Sequence, residues 1–139
     1  MNAPASALGG RREAREEALS FLYETELTGE SIPATLESRD IPLEDYAVEM
    51  IEGIDAQRQE LDDIIRRNLT GWRLERMAIV DRVIARMAAW ELRSRRDVPT
   101  GAVLSEAVQL ATQYCGEDSP RFLNGVLRSV ANELRPDEG

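Results

Sequence analysis

Histidine and lysine are absent from the 139 residues, and cysteine occurs once, at Cys115. Without histidine the chain has no ordinary general base and no Ser-His-Asp arrangement. A single thiol forms no internal disulfide and supplies no Cys/His zinc set, so Cys115 reads as a small apolar residue at a helix end. No apolar run approaches the roughly 18 residues of a membrane span. The opening MNAPASALGG lacks both the basic and the long apolar parts of a secretory signal, so a soluble, cytoplasmic protein is expected. Alternating strand runs, a Gly-rich phosphate loop, internal repeats and low-complexity blocks are all missing. The adjacent pairs Asp62-Asp63 and Glu16-Glu17 do not face one another across a helix and read as solvated faces. No enzymatic activity, cofactor, metal or small-molecule substrate is expected.

What is present is a globular balance of 42% hydrophobic and 31% charged residues, enough for one domain. The formal charge of -9 argues against a nonspecific polyanion binder, whose affinity depends on many cationic contacts to phosphate, but it allows a local basic patch. All 17 basic residues are arginine, the side chain with a planar, bidentate fork.

Apolar periodicity predicts helices throughout. RREAREEALSFLYETELTG places Ala14, Ala18, Phe21 and Leu22 on one side, with Gly29 as a stop. SIPATLESRDIP reads as a short helix or turn before Pro42. From Pro42, the positions Leu43, Tyr46, Ala47, Met50, Ile51, Ile54, Leu61, Ile64, Ile65 and Leu69 predict one helix of about seven turns. After LTGW, the residues Ile79, Val80, Val83, Ile84, Met87, Ala88 and Leu92 cover enough of a helix to predict a central element packed on several sides. A helix with Val103, Ala107, Leu110, Ala111 and Tyr114 on one stripe follows the DVPTGAV turn and stops at Gly116.

In GEDSPRFLNGVL, Asp118 or Ser119 is expected to cap the last helix, and Pro120 suits its first turn. Phe122, Val126 and Val130 share one side. Gly125 lies beside it, where a missing Cβ would let another helix approach. Asn124 is either a polar anchor between helices or a ligand contact.

The stretch DVPTGAVLSEAVQLATQYCGEDSPRFLNGVL resembles the C-terminal signature of the NusB family of bacterial transcription antitermination factors. The likeness extends upstream through DRVIARMAAWEL and ELDDIIRRNLTGW to RREAREEALSFLYETEL, from about Arg11 to Pro136. It implies an all-α fold of about seven helices in two packed subbundles. The corresponding division is a tail over 1–10, one RNA-binding domain over 11–136 and a C-terminal tail over 137–139. It also implies a protein without catalysis that binds boxA RNA of nascent ribosomal RNA transcripts together with NusE, a small-subunit ribosomal protein. With other Nus factors, the pair helps RNA polymerase resist termination.

By the same resemblance, Arg11, Arg12, Arg15, Tyr23, Asp118, Ser119, Arg121, Phe122 and Asn124 match RNA-facing positions, and Glu75, Asp81, Arg82 and Arg86 match the NusE-docking segment. Residue chemistry leaves alternatives beside these. The arginines at 11, 12 and 15 suit phosphate contacts or pairing with Glu16 and Glu17. Tyr23 and Phe122 suit base stacking or core packing. Asp118 suits a base edge or a helix cap. Glu75, Asp81, Arg82 and Arg86 suit intrahelical pairing, and Glu91 a contact to a neighbouring helix. The other readings are a protein-only scaffold, or a stand-alone RNA-binding domain like that of ribosomal RNA cytosine methyltransferases. The chain's end at Gly139 disfavours the second.

Overall fold

The computed structural model describes residues 11–138, so the tail expected over 1–10 and Gly139 lie outside the described residues. Helix α1, Arg11–Thr28, buries Ala14, Ala18, Phe21 and Leu22 as their spacing predicts. It ends at Gly29, whose φ of 77° suits a residue without Cβ and whose N–H donates to the Thr25 carbonyl at 2.8 Å. Helix α2, Ile32–Glu37, starts where the Ser31 hydroxyl accepts from the Ala34 N–H, with Pro33 in its first turn.

The long helix predicted from Pro42 is two helices, α3 at Asp45–Ala56 and α4 at Arg58–Arg67. The break falls at Gln57, with φ −112° and ψ 19°. Ile54 and Leu61 are seven residues apart, which preserves helical spacing across the interruption, so periodicity does not reveal it. Between them only Ala56 is apolar, and no large side chain ties this turn to the core. The Gln57 side chain instead accepts from Arg93 at 3.0 Å.

After a 3-10 turn at Leu74–Arg76 comes α5, Ile79–Ser94, with every residue from Val83 to Leu92 buried. Helices α6, Thr100–Tyr114, and α7, Ser119–Leu134, follow. Helix α5 touches α1, α3 and α4 on one side and α6 and α7 on the other, so it is the shared wall of two groups of helices. The described residues form seven α-helices and no strand.

Among the described glycines, Gly53 is packed most tightly by a neighbouring helix: an added Cβ would lie 2.7 Å from Trp90 Cε2 and nearer still to Nε1. Gly125, expected to serve such an approach, is exposed with open space around it. The expected cap of α7 is also absent. Asp118 has helical dihedrals, φ −88° and ψ −10°, which do not aim its carboxylate at the first-turn N–H groups, and no side-chain cap forms.

The carboxyl end of α5 is closed by Arg135, which is buried. Its Nε donates to the Leu92 carbonyl at 3.0 Å, and its Nη2 donates to the Glu91 and Arg95 carbonyls at 3.1 and 3.0 Å. Its Nη1 reaches the Val98 carbonyl and the Thr100 hydroxyl at 2.8 and 3.0 Å. One cation thereby satisfies carbonyls that a helix end leaves open, at the negative pole of its dipole. Asp137 and Glu138, expected as a tail, form a 3-10 turn with Pro136, and the Glu138 carboxylate accepts from Thr100 at 2.6 Å.

Candidate nucleic-acid interface

Three arginines open α1, and the fold gives each a different environment. Arg12 is half exposed and donates to both Glu106 oxygens on α6, at 3.1 and 3.4 Å. Arg11 lies over the Tyr46 ring, 4.5 Å from its centroid, and 3.6 Å from Asp97. Arg15 is buried. Its Nε and Nη2 donate to the two oxygens of Glu91 at 3.0 and 2.8 Å, and the Tyr46 hydroxyl donates to the same carboxylate at 2.5 Å. Arg15 therefore presents no guanidinium to a phosphate, which corrects its placement among the RNA-facing residues. The partners of all three come from other helices or from the turn after α5, not from Glu16 and Glu17. Burial, followed by the Glu91 charge, pushes the Tyr46 hydroxyl well above its ordinary pKa and keeps it a donor.

Further along α1, Tyr23 is 40% exposed. It lines a cleft of about 360 Å³ with Glu16, Leu19, Ser20, Val80 and Tyr114, where α1 meets the ends of α5 and α6. Tyr114 was expected on the core stripe of α6 but is 48% exposed. Its hydroxyl donates to Glu16 at 3.4 Å, and desolvation and the Glu16 charge raise its pKa. Sequence reasoning missed Tyr114 because it continues the apolar spacing of α6 into the last turn, beyond the reach of the core.

The start of α7 is tied to the same corner. Ser119 donates to Asp81 at 2.8 Å, while the other Asp81 oxygen is buried without a partner. Cys115 also faces Asp81, and burial, reinforced by that carboxylate, pushes the thiol up to about 12. Asp118 itself is exposed. Phe122 is half-buried and packs edge-on against Trp72, their centroids 5.6 Å apart. Trp72, from the LTGW turn, is 57% exposed and was not singled out in the sequence. Arg121 and Asn124 point elsewhere, into a groove between α6 and α7.

The expected docking segment divides in the same way. The Glu75 carboxylate is exposed and accepts from Arg66 at 2.7 Å, which holds it below the usual carboxylate range. Arg82 donates to the Glu75 backbone carbonyl at 3.2 Å and approaches Glu26 at 3.8 Å. Arg86 is buried and gripped by both oxygens of Asp62 on α4, at 2.7 and 3.2 Å. Asp81 is buried against Ser119. Arg86 and Asp81 thus stabilise contacts within the bundle, which corrects their assignment to an open surface. The observed pairs run between helices, so the intrahelical alternative fails as well. Glu91, read as a contact to a neighbouring helix, is that contact.

Comparison with known proteins accords with this architecture. Residues 12–132 match the NusB family. The transcription antitermination protein NusB of Sorangium cellulosum is 41% identical over 133 residues, covering 91% of this chain and 95% of that one. The protein of the same name from Myxococcus xanthus is 37% identical over 137 residues, covering 91% and 98%. Among solved structures, NusB of T. maritima superposes with a TM-score of 0.81 at 31% identity, covering 92% of this chain and 95% of that one. A structure of the antitermination factors NusB and NusE in complex with dsRNA superposes with a TM-score of 0.75 at 28% identity, covering 88% and 96%. No helix among the described residues is long and apolar enough to cross a membrane. With one central helix shared by two groups, and with relatives matched along almost their whole length, this chain belongs to the NusB family.

Proposed function

We propose that this chain is a transcription antitermination factor that binds boxA RNA of nascent ribosomal RNA transcripts together with NusE, within an RNA polymerase elongation complex that holds other Nus factors. It acts by binding rather than catalysis. The observation that carries this reading is the superposition, over most of both chains, on the protein crystallised with NusE and dsRNA.

The RNA face runs from Arg12 along α1 to the cleft between Tyr23 and Tyr114, and on to the exposed Asp118. Arg12 contacts phosphate by exchanging its half-exposed Glu106 pair for a phosphate oxygen, and the two tyrosines offer rings to unpaired bases. Asp118 accepts from a base edge, since a carboxylate does not attract phosphate. Arg11 and Arg15 act from beneath by fixing α1, and Ser119 by fixing the start of α7 against Asp81. Phe122 with Trp72 extends the aromatic surface beyond α7. NusE docks over Glu75 and Arg82, with Asp81 and Arg86 holding that surface in shape.

Fluorescence anisotropy with a boxA-like RNA and a scrambled control, with NusE absent and present, tests the reading. The expected result is a stable pair with NusE and tighter, boxA-selective binding by that pair than by the chain alone. A pair that forms with NusE yet gains no RNA selectivity would establish the protein-only scaffold instead. Absence of both interactions would remove the proposal altogether.

A further inference from the structure

A groove of about 490 Å³ lies between α6 and α7, away from the Tyr23–Tyr114 cleft. Its floor is aliphatic, built from the half-buried Leu104, Val108 and Pro120. Along one wall stand Arg121, Asn124 and Arg128, which share a face of α7 because they fall at intervals of three and four residues. Both arginines are exposed, and neither has a carboxylate partner among the described residues. No Asp or Glu lines the groove. In a chain of net charge -9, whose other site arginines are held by Glu106, Asp97, Glu91, Asp62 and Glu26, this is an apolar trough with positive charge left uncompensated.

We propose that the α6–α7 groove is a docking site for an acidic amphipathic helix of a protein partner. Charge complementarity selects the sign of the partner, and the aliphatic floor takes its apolar stripe. Arg121 and Arg128 are separated by two turns, about 10 Å along the axis, which suits carboxylates two turns apart on the docked helix. Asn124 sits between them as an amide able to donate to and accept from the partner's side chains. A protein is favoured over RNA because no aromatic ring lines the groove, so unpaired bases find nothing to stack on, whereas Leu104, Val108 and Pro120 suit aliphatic side chains. The site is additional to the RNA face proposed above and does not share residues with it.

The test uses a fluorescein-labelled, helix-forming peptide of 16 residues with a leucine stripe flanked by glutamates seven residues apart, and its twin with lysine for every glutamate. The full chain carrying Arg128→Glu is the variant. Arg128 is exposed on the helix surface, and unchanged thermal melting verifies that the variant folds. The glutamate peptide is expected to bind the unaltered chain at least tenfold more tightly than the lysine twin, to weaken as salt is raised, and to shift the backbone amide NMR signals of residues 104, 108, 121, 124 and 128. In the variant this preference should be lost, while affinity for boxA-like RNA with NusE stays within twofold of the unaltered chain. Loss of RNA affinity in the variant would assign Arg128 to RNA and overturn the proposal. So would peptide-induced shifts elsewhere, equal binding of the two peptides, or a concentration-dependent dimer of the unaltered chain that the variant abolishes. Because peptide and RNA are read separately, failure here is distinguishable from failure of the antitermination reading.

Discussion

Arg15 and Glu91, 76 residues apart, meet inside the bundle as a two-point ion pair, with side chains 3% and 2% exposed. The pair joins α1 to the central helix, and Tyr46 brings α3 to the same carboxylate. A charge taken out of water is tolerable only while its partner stays in place. Arg15→Met should therefore lower stability by about 3 to 5 kcal/mol, as should Glu91→Leu. Replacing both with apolar residues of similar volume, Arg15→Met with Glu91→Leu, should recover most of that loss. Urea unfolding of the four proteins checks this. Equal destabilisation by the double variant and the sum of the single ones would show that the pair is not coupled.

Arg12 provides the contrast one turn earlier. Its pair with Glu106 is half in water, so Arg12→Ala should change the melting temperature little. If it contacts phosphate, the same variant should weaken RNA binding and flatten the log-log salt dependence by about 0.7 to 0.9 of a unit. An unchanged slope in titrations between low and physiological salt would take Arg12 out of the RNA face.

Gly53 and Gly125, both inside helices, should respond in opposite directions. Gly53→Ala drives a methyl group into the Trp90 indole and should cost about 1 to 3 kcal/mol. Gly125 faces open space, so Gly125→Ala should stabilise by about 0.5 to 1 kcal/mol through helix propensity alone. Thermal melts of both variants decide it. Destabilisation by Gly125→Ala would mean that the exposed surface at that turn is occupied.

Arg135→Ala would remove five hydrogen bonds at the end of α5; the Glu91 and Arg95 carbonyls would keep the N–H groups of Arg95 and Val98, while the Leu92 and Val98 carbonyls would lose their side-chain donor. A loss of more than about 3 kcal/mol is expected, because each buried carbonyl left unpaired costs about 1 to 3 kcal/mol. Arg135→Lys should rescue little, since an ammonium does not reproduce the planar fork. Hydrogen exchange should show the loss first in the last turn of α5.

Cys115 supplies a pH test. Its thiol is pushed up to about 12 from an ordinary 9.0, so the folded state favours the protonated form. That contribution to stability is complete below about pH 9, where the unfolded thiol is still protonated, and fades as pH rises toward 12. At pH 8 the folded chain should react with iodoacetamide much more slowly than the denatured chain. Equal rates would show that the Asp81 corner does not shield the thiol.

Helix type and the central position of α5 were legible in the sequence because apolar residues at helical spacing must share a face, and α5 has too many for one neighbour. Other features were settled only when distant segments met. Three neighbouring arginines look alike in the sequence, yet the half-exposed Arg12 reaches a partly buried glutamate, Arg11 an aromatic ring and Arg15 a buried carboxylate, each from a different helix. The break at Gln57 kept the apolar period intact on either side, so the pattern passed over it. Gly53 and Gly125 are equally bare of side chain, and only the position of Trp90 distinguishes them. Local spacing determines which faces turn inward, because burial of apolar area follows periodicity. The fate of a charge or a glycine rests on what faces it from another helix, a relation between residues far apart in sequence that only the tertiary structure decides.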